Sequence, residues 1–371
     1  MSRRLTVVQL LPALEAGGVE RSTLEIAQAL VQAGHRAIVV SAGGRLLPQL
    51  QALGAEHMAM DIGRKSLLSL RHVRPLQRLF VDQQVDIVHA RSRLPAWIGR
   101  MALRGLPAAR RPRFVTTVHG LNSPSRYSQV MASGDRVICV SETVRAHVLR
   151  HYPGTDASRL QVIPRGIDPA DFPQASAGES VQARRQVAEY WPQLAGDGPL
   201  LLLPGRGTRL KGHADALQLL AGLRGSGVDA RLWLPGARQA GRDAYIDELE
   251  GLARALGIAS ALAITPPTAA IAQAYAACDL VLQLSRKPEA FGRTVLEALA
   301  VGRPVLGWSH GGVGELLQHW QPEGAIAPFD AGALLQGAAR MLANPSAPAV
   351  TMPDSLRAMQ AATLALYEQL A

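Results

Sequence analysis

Glu289 and Glu297 stand eight positions apart in the segment EAFGRTVLE. Between them the pair Phe291-Gly292 forms a tight turn that opens an apolar run, Thr294 to Val301. At about 100° per residue, eight helical steps would leave the two carboxylates about 80° apart on one broad face. The glycine turn favours another placement, with Glu289 in the loop before a helix and Glu297 in its second turn. The free N–H groups of that helix start then lie between two carboxylates. Such a site suits a ligand that joins anionic phosphate to many hydroxyls, as a nucleotide sugar does.

A cationic signal precedes it. In residues 201–212, LLLPGRGTRLKG, a strand ends at Pro204 and a glycine-bearing loop presents Arg206 and Lys211. Two fixed cations at a strand's C-terminal end suit a diphosphate, whose charge must be neutralised as it departs. Alone, the segment reads equally well as a solvated basic turn; the carboxylates in the same half favour the site. Gly17-Gly18 follows the first strand and precedes a helix from Val19. Adjacent glycines admit a ligand close to the backbone, although a plain strand-to-helix turn needs no more. The segment lacks the GxGxxG pattern, and Ala37 to Val40, where a dinucleotide site needs an acid, has none, which argues against a dinucleotide oxidoreductase.

His119-Gly120 closes the strand FVTTVHG, so His119 is a candidate for contacting a sugar hydroxyl or tuning the reaction centre. His89 ends VDIVHA in the same way and reads better as structural. The stretch Arg64–Arg78 sets Arg71, Arg74 and Arg78 among leucines, as a basic amphipathic helix would. It is an ordinary cationic surface helix or a contact for an anionic membrane or phosphorylated acceptor. Arg91, Arg93 and Arg126 lie near strand ends and add cations on the acceptor side.

These residues need elements to hold them. Short apolar strands are expected at Leu5–Leu11, Ala37–Ser41, Val85–Ala90, Phe114–His119, Arg136–Ser141 and Leu160–Pro164, with helices between them at Val19–Ala33, Ser69–Gln83 and Glu142–His151. Pro164 to Ala177, rich in proline, reads as a linker. Strands resume at Leu200–Leu203, Ala230–Leu234, Leu262–Thr265, Leu280–Leu284 and Pro304–Gly307. The expectation is an α/β protein of two doubly wound, Rossmann-like domains, residues 1–168 and 169–354, facing across a cleft. A final amphipathic helix, 355–371, would pack back onto the first.

With 371 residues, the chain is too long for one typical core. No apolar run spans a bilayer, and the start lacks signal-peptide features, so a cytoplasmic location is expected. Cys139 and Cys278 fall in apolar segments of different halves and read as buried thiols. Residues 1–170 carry a net charge of +12, residues 171–371 one of −2. The positive half attracts polyanions, unless it reflects only an arginine-rich composition.

In this order, Gly17-Gly18, His119-Gly120, Arg206 with Lys211-Gly212, and Glu289 with Glu297 resemble the retaining GT-B-fold glycosyltransferases grouped with glycogen synthase, over nearly the whole length. HARSRLPAW (89–97) and FVTTVHG, followed by Arg126-Tyr127, are similar to bacterial transferases of the lipopolysaccharide-core type. The resemblance implies that Arg206 and Lys211 bind the donor diphosphate. It implies that Glu289, near the Phe291 and Gly292 N–H groups, contacts the sugar and Glu297 the ribose. Gly18 would approach donor and acceptor, and His119 would line the sugar site. It also implies a nucleotide-sugar co-substrate, a UDP-hexose, no cofactor and no metal. The implied acceptor is an anionic saccharide or glycolipid, with possible seating on the inner membrane face. A nucleotide-sugar 2-epimerase and a non-catalytic glycosyltransferase-like binding protein are the alternatives. Too few aromatics and no recognised module speak against nucleic acid.

Overall fold

Short β-branched and leucine-rich segments become the strands of two separate parallel sheets, in a computed structural model that describes residues 3–15, 17–344 and 352–371. The first sheet comprises β1 (Thr6–Leu10), β2 (Arg36–Ser41), β3 (Glu56–Ala59), β4 (Ile87–Ala90), β5 (Arg113–Val118), β6 (Arg136–Cys139) and β7 (Leu160–Val162). Its order is β3-β2-β1-β4-β5-β6-β7. The second comprises β8 (Leu200–Leu202), β9 (Arg231–Pro235), β10 (Leu262–Thr265), β11 (Leu280–Gln283), β12 (Val305–Trp308) and β13 (Ala325–Ile326), ordered β10-β9-β8-β11-β12-β13. Every pairing is parallel. The strands alternate with helices, and central ones such as β4 and β8 are buried throughout, which is why they read as unbroken apolar runs.

Strand order reverses beside β1 and β4 in the first sheet, and beside β8 and β11 in the second. At such switch points the loops leaving the strands diverge and open a crevice for ligands. Gly17-Gly18 follows β1, the Arg206–Lys211 loop follows β8, and Glu289 follows β11.

The contacts divide the chain into residues 1–166 with 356–371, and residues 167–355. The sequence boundary at 168/169 lies two residues later. The last helix, Ser355–Leu370, sends Met359, Leu366 and Tyr367 into the core of the first unit beside Val7, Val39 and Ile87. The second core gathers Leu201, Leu232, Leu282, Leu306 and Trp308.

Three expectations need correction. The linker runs directly into a helix that the sequence reading did not place, Ala177–Tyr190, started by a reciprocal cap between Ser176 and Glu179. The basic stretch is not one α-helix: Leu67–His72 is 3₁₀, and the α-helix runs only over Val73–Asp82. Pro75 has no N–H and its ring crowds the carbonyl four residues back, so the α ladder cannot continue upstream. Strand β3 was absent from the sequence reading because it is a short, largely exposed edge strand with polar Glu56 and His57.

Candidate active site

In the second unit, the loop after β8 closes with one 3₁₀ turn, Arg209–Lys211, and Gly212. Gly212 has φ 74°, and a Cβ there would stand 2.0 Å from the carbonyl oxygen of Leu284. Only glycine lets this loop lie flat against the loop that follows β11. The close approach brings Lys211 Nζ to 2.6 Å from Glu289 Oε1, across 78 positions of sequence. The Ser285 hydroxyl donates to the same oxygen. Oε1 is thus engaged twice by the protein. Both side chains are about one-quarter exposed, and ion pairs of that kind contribute about 1 kcal/mol or less. A phosphate ligand can outcompete so weak a contact. Arg206 lies exposed on the same loop.

The backbone of Glu289 is fixed from β12. Its carbonyl accepts the Gly312 N–H at 2.8 Å, and Glu289 forms a parallel bridge with Gly311. Gly311 has φ 62°, and a Cβ there would meet Glu289 O at 2.6 Å. His310 Nε2 donates to Ser285 O at 2.8 Å. His310-Gly311-Gly312 and Ser285 were not singled out in the sequence. The signal was present, since a Gly-Gly pair after a strand and before a helix repeats the pattern of Gly17-Gly18.

Phe291 is buried, and Gly292 opens the helix Arg293–Ala300. Glu289 therefore lies in the loop and Glu297 within the helix's second turn, the second of the two placements open to the sequence. Glu297 is only 9% exposed. Its Oε2 accepts the Tyr275 hydroxyl at 2.9 Å and its Oε1 accepts Arg293 Nε at 3.1 Å. Burial and the neighbouring carboxylate push the Tyr275 hydroxyl well above its ordinary pKa, so it stays a donor. Each Glu297 oxygen keeps one further lone pair for a ligand.

In the first unit, Gly17 caps the helix Gly18–Gln32 and the Gly18 carbonyl accepts an Arg165 N–H. His119 follows β5, with Nδ1 2.5 Å from the other Arg165 nitrogen. Its Nε2 is covered and has no partner among the described residues. His119 borders a cavity of about 20 Å³, room for one water and far too small for a hexose. Burial, Arg165, Arg91 and His89 hold the His119 imidazole well below its ordinary pKa. His89 is structural, held between Tyr367 Oη at 2.5 Å and Thr117 Oγ1 at 2.6 Å.

The peripheral arginines separate. Arg91 is not a surface cation: it is 3% exposed, donating to Gln9 Oε1 at 2.6 Å and Ser22 Oγ at 3.1 Å. These polar groups on β1 and the following helix draw it inward, because a buried guanidinium must find acceptors. Arg93 donates to Ser128 Oγ at 3.2 Å and stacks over Tyr127. Arg126, Arg71, Arg74 and Arg78 are exposed. Leu68 and Leu70 are exposed beside Arg71 instead of joining an apolar inner face, and Leu68 is 69% accessible. Both cysteines are buried free thiols, pushed by burial up to about 12. Among the described residues no three His, Cys, Asp or Glu side chains gather as a metal site.

The comparisons agree with the two-sheet fold. Residues 16–171 match the family described as Glycosyltransferase Family 4, and residues 191–357 match Glycosyl transferases group 1. The chain belongs to the glycogen-synthase-like glycosyltransferases of the GT-B class. A glycosyltransferase structure from Rickettsia africae is similar at TM-score 0.85 and 25% identity, covering 99% of this chain and 98% of that one. Anabaena Alr3699/HepE in complex with UDP and glucose is similar at TM-score 0.76 and 22% identity, covering 99% and 98%. D-inositol 3-phosphate glycosyltransferase of Actinosynnema mirum is 35% identical over 191 residues, which cover 50% of this chain and 43% of that relative's length.

Proposed function

We propose that the chain transfers a hexose from a UDP-linked sugar to an anionic saccharide or lipid-linked acceptor in cell-surface glycan synthesis, of the lipopolysaccharide-core kind. The observation that carries this reading is the meeting of Lys211 with Glu289 at the switch point of the second sheet, with Arg206 exposed on the loop that carries Lys211. A cationic loop and a hydroxyl-seeking carboxylate within one hydrogen bond match the two halves of a sugar diphosphate. Arg206 and Lys211 take the diphosphate, and Glu289 takes hydroxyls of the sugar near the Phe291 and Gly292 N–H groups. Glu297 takes the ribose, Gly18 approaches donor and acceptor, and His119 lines the sugar site.

Transfer proceeds with retention and without a metal. The acceptor oxygen bonds to the anomeric carbon on the face from which the diphosphate leaves. The anomeric C–O bond to phosphate breaks, and the acceptor's proton passes to the departing phosphate oxygen. Glu289 orients the sugar and is not the nucleophile. The positive charge of residues 1–170 and the exposed Arg71, Arg74 and Arg78 beside Leu68 and Leu70 support an anionic acceptor and a peripheral seat on the inner face of a membrane. The Actinosynnema relative is named for D-inositol 3-phosphate, itself a phosphorylated polyol. No helix among the described residues is long and apolar enough to cross a membrane.

A thermal-shift screen of UDP-, GDP- and ADP-linked hexoses tests the donor, because a ligand that binds only the folded chain raises its melting temperature. UDP-glucose should raise it, and the shift should vanish in Arg206→Ala/Lys211→Ala. The absence of a shift with all three donors would overturn the reading. Product analysis of donor without acceptor separates transfer from epimerisation.

A further inference from the structure

We propose that Arg165 is the positioning residue of His119: it holds the imidazole with its proton on Nε2 and ties the ring to the backbone of the Gly17-Gly18 turn. The inference rests on the reading that His119 serves the transfer reaction, but its structural part stands without that reading.

Arg165 follows β7, His119 follows β5 and Gly18 opens the helix after β1, so three strand ends are joined by one side chain. The guanidinium is buried, at 8% exposure for the residue. One of its nitrogens donates to the Gly18 carbonyl, the other lies 2.5 Å from His119 Nδ1. A guanidinium has no acceptor, so Nδ1 must be the acceptor of that bond. A neutral imidazole accepting at Nδ1 carries its hydrogen on Nε2. An imidazolium would turn a second N–H against the guanidinium.

The surrounding charges favour the same state. Arg91 approaches from the loop after β4, His89 from β4 itself, and Glu25 and Tyr367 lie beyond Arg91 on the first and last helices. Two guanidinium groups and burial oppose a third positive charge on the ring. Nε2–H has no partner among the described residues. Its hydrogen is the one that the residue has left to give, and the small cavity that His119 borders has room for one water to take it. His119 then acts as a hydrogen-bond donor and takes no proton from the acceptor.

Long-range ¹H–¹⁵N spectra of histidine-labelled full chain test this directly, with His119→Asn assigning the signal. The unsubstituted protein should show His119 as the neutral Nε2–H form, without titration through the ordinary histidine range. In Arg165→Met the ring should become a mixture of tautomers and titrate at higher pH, with Arg165→Lys restoring part of the original signal. With UDP-glucose as donor, Arg165→Met should lower kcat by about 10- to 100-fold at little change in KM. Arg165→Lys should recover part of that loss. An Nδ1–H tautomer in the unsubstituted protein overturns the proposal even if Arg165→Met fails to fold. An unchanged His119 spectrum in a folded Arg165→Met also overturns it. If the spectra behave as expected and no nucleotide sugar is turned over, the proposed function falls and the positioning role stands.

Discussion

Lys211 and Glu289 neutralise each other at 2.6 Å, so each is the other's counter-ion until an anion arrives. Glu289→Gln should release Lys211. Transfer is expected to fall about 100-fold, while UDP binds as tightly or up to about fivefold tighter, the equivalent of a partly exposed ion pair. Calorimetric titration with UDP checks this, and a tenfold loss of UDP affinity would contradict the counter-ion role. His213, next but one to Lys211, is fully buried, and burial pushes its imidazole down to about 4. Its pKa is lowered on folding, so the unfolded chain binds the proton first. Stability should fall as pH drops through the ordinary histidine value near 6.5 and level off below about 4, with about 2 kcal/mol lost by pH 5. Urea unfolding at pH 7.5 and pH 5.0, compared with His213→Gln, measures the share due to this residue. At this scale residue type and spacing singled out Glu289 and Lys211, and the fold brings the two side chains into contact. The sequence reading did not foresee that Arg91 is buried, because nothing local to that residue tells that Gln9 and Ser22 lie within its reach.

The elements that carry these residues are short strands ending in glycine-bearing loops. Gly212 joins the β8 loop to the β11 loop through a left-handed turn pressed on Leu284. Gly212→Ala should cost about 1–2 kcal/mol for the positive φ alone, with more from the carbonyl clash. It should also displace Lys211 and weaken UDP binding. Unfolding and titration together check it, and unchanged values in both would show that the loop relaxes freely. Nearly all the strands were legible, since apolar β-branched runs bounded by Gly and Pro announce them. The helix Ala177–Tyr190 was not, although Ser176 and Glu179 form a capping signal, because the proline-rich approach from Pro164 reads as linker. Pro75 likewise cuts the basic stretch into two helix types.

The whole molecule is electrically lopsided, with +12 in residues 1–170 against −2 in the remainder. Arg71→Glu/Arg74→Glu/Arg78→Glu tests the membrane part of the proposal. Each basic residue near an anionic bilayer contributes about 1 kcal/mol, so the triple change should cut binding to phosphatidylserine vesicles more than about 100-fold at low salt. Vesicle sedimentation measures this, and no binding by the unsubstituted chain would remove the membrane from the proposal. The sequence by itself determined the parallel α/β class, the glycines at the strand ends, the charge distribution and the residue types fit for a sugar diphosphate. These are local properties, written in periodicity, turn chemistry and composition. Only the tertiary structure decided which of those residues meet. Lys211 finds Glu289 across 78 positions, and Arg165 finds His119 across 46 and Gly18 across 147. Those meetings depend on the order of strands in each sheet, and strand order is set by the packing of the whole core rather than by any one segment.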